Sequence, residues 1–188
     1  EDSEYQGVRL SLDAYLDKTR IPLKLDISTG DVITPCEISF SYQLMFENRT
    51  IPLLAYPPET VLAEKLETIL SRGEANTRLR DFYDVYILQR EDFVVTPDAL
   101  CHALLATCRK RGHEDLLHTY ASILDRVRQS GTMRTQWMKY QSDFDYAAGI
   151  TWDTVLDTVE TLCMKTLDDH AFGDELPQEE SQFEMHLL

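Results

Sequence analysis

The spacing of apolar residues changes once along the chain, and this change limits the possible folds more than any other feature. Over the first third, apolar and polar residues alternate with a period of two, as in strands that bury one face. From Pro57 onward, apolar residues recur every three or four positions, as in amphipathic helices. Strands followed by helices predict an α+β fold, in which a sheet region precedes a helical region.

Two hairpins are predicted in the first third. The apolar positions of the first hairpin, on either side of the polar turn LDKTR, are Val8, Leu10, Leu12, Ala14, Ile21, Leu23, Leu25 and Ile27. The second hairpin has alternating Ile38, Phe40 and Tyr42, the turn ENRT and the return strand IPLLAY. Pro52 indicates that the return strand lies at an edge or starts late, because proline cannot donate a backbone hydrogen bond.

Helix start and stop signals divide the remaining chain into six predicted helices. The first has Pro58 in its first turn and is ended by Gly73, and the second is capped by Asn76 or Thr77. The third opens at Thr96 and closes at Gly112. The other three are predicted at about 114–128, within 133–147, and from 151 to about 173.

The composition restricts the class of protein. A formal net charge of −15 argues against a nucleic-acid binder that uses its whole surface and against a cationic membrane-surface helix. No apolar run reaches the length of a membrane span. Widely spaced Cys36, Cys101, Cys108 and Cys163 are interpreted as buried, reduced thiols of a cytoplasmic protein.

Two apparent metal motifs are rejected on geometry. The histidines of HEDLLH are five positions apart, which separates them by about 140° on a helix. The D-x-D formed by Asp143 and Asp145 lies in a segment predicted to be helical, where alternate side chains point to different sides. The sequence also has no Walker loop, no G-x-S-x-G and no dinucleotide fingerprint.

Lys24 and Asp26 present a cation and an anion together. Residues two apart on a strand project from the same face, so we expect this pair beside Ser28, with Asp13 across the hairpin. The K-x-D pair therefore marks either a functional site or the ordinary solvated side of a half-buried hairpin.

The helix that follows Pro57 raises a second candidate. Lys65 lies at the border of its apolar stripe, whereas Glu64 and Glu67 are expected to point into solvent. A lysine at such a border can simply extend its ammonium to water. Asp81 and Asp84, one turn apart near the start of the next helix, also suit the unpaired amides there. Neither structural explanation predicts the combination of a helix lysine, a glycine-bounded connection and R-x-x-D-x-x-D.

The combined stretch YPPETVLAEKLETILSRGEANTRLRDFYDVYIL, residues 56–88, closely resembles the signature of the AbiEii/AbiGii toxin family. These are nucleotidyltransferase-like proteins of bacterial toxin–antitoxin, abortive-infection and phage-defence systems. IPLKLDISTGD is similar to the family's strand with K-x-D, and WMKYQSDFDYAAGITWDTVLDTVETL is similar to its C-terminal helices. The resemblance covers most of residues 8–170.

The resemblance implies a nucleotidyltransferase fold, with a mixed or antiparallel sheet and a helical C-terminal region that closes the nucleotide cleft. It implies transfer of a nucleotide from a nucleoside triphosphate to tRNA or a protein with Mg²⁺. Asp26 matches the family's metal-binding carboxylate on a neighbouring strand, with Lys24 beside it. Lys24, Lys65 and Arg80 are implied in binding nucleotide, and Lys65, Asp81 and Asp84 join Asp26 as the implied catalytic residues. A cognate antitoxin is a further implied partner. A bare edge of an interrupted sheet would also favour association with a second copy of the chain.

One departure from the family pattern changes the expectation for this chain. The G-S pair and D-x-D should precede the K-x-D strand, and the residues before Asp26 do not supply them. We therefore expect the C-terminal portion of a longer nucleotidyltransferase, inactive alone. Its expected segments are the remainder of the sheet (1–56), a helical region with the lysine and aspartate motifs (57–173) and an acidic flexible tail (174–188). The alternative is a non-catalytic interaction module or degenerate paralogue that binds a partner protein through an acidic surface.

Overall fold

The computed structural model describes residues 7–90 and 95–168. Its strands are β1 (Gly7–Leu16), β2 (Thr19–Ser28), β3 (Ile38–Gln43) and β4 (Thr50–Ala55). Its helices are α1 (Pro58–Arg72), α2 (Leu79–Leu88), α3 (Pro97–Arg111), α4 (Leu116–Gln129), α5 (Gly131–Asp143) and α6 (Trp152–Leu167). Strands precede helices, so the α+β prediction is confirmed. The predicted tail (174–188) lies outside the described residues.

The strands form two antiparallel hairpins, and within the described residues neither hairpin pairs with the other. The register of β1 and β2 places Val8 opposite Ile27 and Leu10 opposite Leu25, which confirms the predicted apolar face. The same register places Arg9 opposite Asp26. The turn between the strands contains Asp17 at φ 53°, a left-handed conformation that aspartate tolerates better than most residues.

Local sequence signals explain where most helices begin and end. The side chains of Thr96, Ser130 and Thr151 accept hydrogen bonds from the first turns of α3, α5 and α6. Gly73 and Gly112 follow α1 and α3 at φ 49° and 68°, where a side chain would be strained. The first and third helices therefore have the predicted boundaries. The fourth and fifth begin two residues from the predicted positions, and the predicted end of the sixth lies beyond the described range.

The hydrophobic core lies in the helical region. Its largest fully buried apolar side chains are Trp137, Phe82, Leu62, Leu66, Ile69, Leu70, Leu100, Leu104, Met133, Leu156 and Val85. Trp152 links two of them, with ring centroids 5.1 Å from Phe82 and 5.8 Å from Trp137. Burial of these aromatic and aliphatic groups supplies most of the driving force for packing α1, α2, α3, α5 and α6 together.

The apolar faces of the hairpins are exposed by comparison. Val8 and Leu12 are 60% and 51% exposed, and Phe40 is 49% exposed. The connection between the hairpins is nevertheless fixed to the helices, because the Thr34 amide donates to Thr60 Oγ1 at 2.9 Å and the Thr60 hydroxyl donates back to the Thr34 carbonyl at 3.0 Å. This reciprocal pair holds the chain after β2 against α1.

Three cysteines are buried as predicted, but Cys36 is exposed, so that part of the prediction is wrong. Cys36 lies in the connection between β2 and β3, outside the helical core. No helix in residues 7–90 or 95–168 combines the length and apolar character needed to cross a membrane.

Candidate functional site

A cleft of about 800 Å³ lies between the β1–β2 hairpin and the helices. The hairpin contributes its open end, where β1 begins and β2 finishes, and α1 contributes one side of the cleft wall. The charged residues that line the cleft are Arg9, Asp26, Asp31, Glu64, Lys65, Arg78 and Arg111. Two residues from separate sequence motifs, Asp26 and Lys65, therefore face the same space.

Lys65 forms ion pairs with both aspartates of the R-x-x-D-x-x-D motif. Its Nζ lies 3.0 Å from Asp81 Oδ1 and 2.7 Å from Asp84 Oδ2. The Asp81 side chain is only 3% exposed, and Arg78 Nε lies 2.8 Å from its second oxygen. The structure thus brings Lys65, Asp81 and Asp84 into direct contact, and it explains why the lysine sits at the edge of the apolar stripe.

The helix geometry accounts for this arrangement. In α1, the neighbours of Lys65 on the apolar side, Leu62 and Leu66, are fully buried. In α2, Phe82 and Val85 are buried. Asp81 and Asp84 lie one turn apart on the same helix, before and after Phe82 in the sequence. Packing α1 against α2 therefore carries the lysine to the two carboxylates.

Asp26 pairs with Arg9 across the hairpin. The guanidinium donates two hydrogen bonds to the carboxylate, at 2.5 and 2.9 Å, in the bidentate geometry that arginine favours. These hydrogen bonds lower the pKa of Asp26 and raise that of Arg9. Lys24 lies two residues before Asp26 on β2, opposite Ser11, and is not among the residues lining the cleft.

Arg80 is placed at the outer side of the lysine–aspartate group. Its side chain is 77% exposed, and its Nε lies 3.8 Å from Asp84 Oδ1. Arg80 does not line the cleft, whereas Arg78, two residues earlier, does. Of the two arginines in this motif, the structure therefore places Arg78 nearer to the space a ligand would occupy.

Sequence reasoning assigned no role to Arg111, and it included Arg78 only as the arginine of R-x-x-D-x-x-D while assigning nucleotide binding to Arg80. Arg111 ends α3, in a basic RKR sequence that is ordinary for the last turn of a helix. Its guanidinium contacts the carboxylate of Glu67, and Glu64 Oε1 lies 3.7 Å away. Only the packing of α3 against α1 reveals this neighbourhood, since no sequence spacing links residues so far apart.

The expected solvent exposure of Glu64 and Glu67 is wrong. Glu67 is 2% exposed because α3 and the segment after it cover that side of α1, and Arg111 and His113 supply its partners. Glu64 is half-buried at the cleft, and burial raises its pKa. α1 therefore has polar residues facing protein on two sides of its apolar stripe.

The carboxylates near the cleft do not form a ligand set for a divalent cation. Magnesium prefers several hard oxygen ligands in octahedral geometry. Among residues 7–90 and 95–168, no group of three or more acidic, histidine or cysteine side chains could hold a metal ion. Of the nearby carboxylates, Asp26 is engaged by Arg9, and Asp31 accepts hydrogen bonds from Ser28 and Tyr56. The described residues alone do not fit a Mg²⁺ site.

Comparison with known proteins identifies the family. The family model described as "Nucleotidyl transferase AbiEii toxin, Type IV TA system" matches residues 1–158, which includes the cleft and all of α1 to α5. Neither the search of curated proteins nor the search of solved structures gives a match. The chain belongs to the nucleotidyl transferase AbiEii toxin family of type IV toxin–antitoxin systems.

Proposed function

We propose that this cleft binds the phosphates of a nucleoside triphosphate, and that the protein containing it transfers a nucleotide to tRNA or to a protein. The observation that carries the proposal is the position of Lys65, fixed by two aspartates on a cleft wall that also holds Asp26. Nucleotidyl transfer depends mainly on positioning the phosphates and stabilising their charge, which is work that fixed cations perform.

The charge distribution supports an anionic ligand. Four cationic side chains and three carboxylates line the cleft, in a chain with a formal net charge of −15. The carboxylates that hold Lys65, Arg78 and Arg111 in place are Asp81, Asp84 and Glu67, and these do not line the cleft. The cations therefore face the ligand space, and the anions that orient them lie behind.

Each predicted site residue receives a role in this proposal. Lys65 contacts the phosphates, buried Asp81 fixes its ammonium, and Asp84 is the more accessible of these two partners. Arg80 and Lys24, which lie outside the cleft lining, raise the positive potential along the path of approach. Cations held in place before binding stabilise phosphate charge without reorganising.

Magnesium is included in the assay because the family resemblance implies Mg²⁺-dependent transfer. The family resemblance assigns Asp26 to the metal, but Arg9 engages this carboxylate and the described residues do not supply a ligand set, so no role proposed here depends on a bound metal.

The test measures nucleotide transfer directly. The gene product that contains this sequence, and this chain separately, are incubated with magnesium and each radiolabelled nucleoside triphosphate, with total tRNA or the protein itself as acceptor. We expect labelling by the gene product that Asp26→Ala and Lys65→Ala abolish and that Lys139→Ala, at an exposed position of α5, does not. Magnesium-dependent labelling by this chain alone, lost in Asp26→Ala, would contradict its expected inactivity.

A second candidate is an interaction module, favoured by the exposed apolar faces of the hairpins together with the acidic composition. In that case the gene product transfers no nucleotide, and a cognate antitoxin or a second copy of the chain covers the exposed faces. Light scattering of the purified chain tests association with a second copy, and co-purification with a candidate cognate antitoxin tests the other partner. Absence of labelling combined with stable association would favour this candidate over the enzyme.

A further inference from the structure

Arg111 is a second fixed cation on the cleft wall, distant in sequence from the motif residues. It ends α3, and its side chain is 18% exposed. Its guanidinium Nη1 contacts Glu67 Oε2, and its Nη2 lies 3.7 Å from Glu64 Oε1. The first contact is with a buried carboxylate, and the second is with a carboxylate that itself lines the cleft.

Glu67 is held from two sides. Its Oε1 lies 2.7 Å from His113 Nδ1, and its Oε2 contacts Arg111, so both oxygens have partners. A carboxylate that is 2% exposed is stable only when it is paired, because burial removes its hydration. Glu67 and His113 therefore fix the guanidinium in a position that does not depend on any ligand.

Glu64 is the partner that a ligand would replace. The 3.7 Å separation between Glu64 and Arg111 exceeds hydrogen-bonding distance, and Glu64 is half-buried beside Asp31 and Glu67. Burial raises its pKa, so the charged form of Glu64 is poorly accommodated where it lies. A phosphate group offers Arg111 shorter, bidentate contacts than this carboxylate.

We propose that Arg111 is a second phosphate-binding residue of the cleft, positioned by Glu67 and His113 and occupied by Glu64 when no phosphate is bound. The assignment rests on the proposed function and deepens it, because it places the triphosphate between the lysine of α1 and the end of α3. Glu67 and His113 are positioning residues, since they act through Arg111.

The test measures binding of inorganic tripolyphosphate to this chain by calorimetry without metal. Arg111→Gln is expected to weaken binding about tenfold to a hundredfold, the effect of losing a hydrogen bond between charged groups. Arg111→Lys restores little of the loss, because a point charge cannot make the bidentate contact. Arg109→Gln is the matched control: it removes an arginine from the same helix, paired with Glu114 at 2.8 Å and half-exposed, and should leave affinity unchanged.

Glu67 provides the test of positioning. Glu67→Gln keeps a hydrogen-bond acceptor but removes the charge, and it is expected to weaken tripolyphosphate binding while Arg109→Gln does not. Thermal unfolding of each variant establishes that the affinities refer to folded protein. Unchanged affinity of folded Arg111→Gln, or no measurable binding by the unsubstituted chain, would overturn the proposal.

Two further comparisons distinguish a triphosphate site from an RNA site, and failure of this inference from failure of the proposed enzyme. Tripolyphosphate is expected to bind more tightly than a 5′-hydroxyl RNA oligonucleotide, and the reverse order would overturn the assignment to a triphosphate. Arg111-dependent binding in a gene product that transfers no nucleotide would support the anion site and reject the enzyme. Transfer that is indifferent to Arg111→Gln would support the enzyme and reject this inference.

Discussion

At the scale of single residues, Lys65 has a structural role whatever its function. Its ammonium joins α1 to α2 through Asp81 and Asp84, and the Asp81 side chain is almost fully buried. It is therefore not simply a lysine that extends along the surface into water. Lys65→Ala should therefore affect folding as well as binding, since it removes a cation that pairs with the buried carboxylate of Asp81.

Lys65→Ala is expected to lower the free energy of unfolding by about 1–3 kcal/mol, the cost of leaving a buried charged group with a missing partner. Arg78 still contacts Asp81, which keeps the loss within this range. Urea denaturation measures it, with Lys139→Ala as the control at an exposed helix position, expected to change stability by less than about 0.5 kcal/mol. Equal stability of both variants would show that the ion pairs contribute nothing to folding.

Glu64 gives the fold a pH dependence whose sign follows from its pKa. Burial raises the folded-state pKa above the ordinary 4.5, so the folded protein binds the proton more tightly than the unfolded chain. The contribution of Glu64 to stability is therefore present below pH 4.5 and is lost as pH rises through the folded pKa. Glu64→Gln should raise the free energy of unfolding at pH 7, and the gain should shrink towards pH 4.

The control for this titration is Glu37→Gln, at an exposed position between the hairpins. Denaturation of the three proteins across pH 4–8 supplies the measurement. A Glu64→Gln protein less stable than the unsubstituted chain at pH 7 would mean that the ion pair with Arg111 outweighs the cost of burial.

The cysteines differ in accessibility. Burial raises the pKa of Cys108 and of Cys163 to about 12, and it also raises that of Cys101. Because the thiolate is the reactive form, iodoacetamide at pH 8 should modify exposed Cys36 alone in the folded chain and all four thiols in denaturant. Peptide mass spectrometry identifies the modified positions, and modification of Cys108 as fast as that of Cys36 would contradict this burial.

At the scale of elements, the sequence predicted most of what is local. Proline and glycine placed the ends of α1, and threonine and glycine placed those of α3. Alternation gave the apolar face of the first hairpin but not its register, which places Asp13 opposite Pro22 rather than opposite Lys24 or Asp26. Prediction from the sequence failed where the burial of a residue depends on an element far along the chain. Glu67 reads as a solvent-facing residue of α1, and only the covering α3, far along the chain, turns it into a buried carboxylate with an arginine partner.

Gly112 tests one of these local signals at a position that matters for the cleft. It lies between Arg111 and His113 at φ 68°, and a Cβ there would meet no atom within 4 Å. Gly112→Ala should therefore destabilise the chain by about 1–2 kcal/mol through backbone strain alone. Gly131→Ala, with equally open space and no positive φ, is the control and should be neutral or stabilising. A neutral Gly112→Ala in thermal unfolding would contradict the assigned conformation.

At the scale of the whole molecule, the cleft lies where the two kinds of structure meet. The helices contain the core, and the hairpins add exposed apolar faces. The charged lining is contributed by β1, β2, α1, α3 and the connections that hold Asp31 and Arg78. The spacing of apolar residues could predict both the hairpins and the helical region, and the family motifs could predict Lys65 and Asp26 as site residues. The meeting of these residues with Arg78 and Arg111 depends on how the hairpin sits against the helices, which no local pattern encodes.

The central claim, that this junction is a nucleotide site, is tested most directly by titrating the ¹⁵N-labelled chain with a nucleoside triphosphate and mapping amide shift changes by NMR. The account predicts saturable changes at Asp26, Lys65, Arg78 and Arg111, which in Arg111→Gln should saturate only at a nucleotide concentration about tenfold to a hundredfold higher. No changes, or changes confined to α4 and α6, would contradict it.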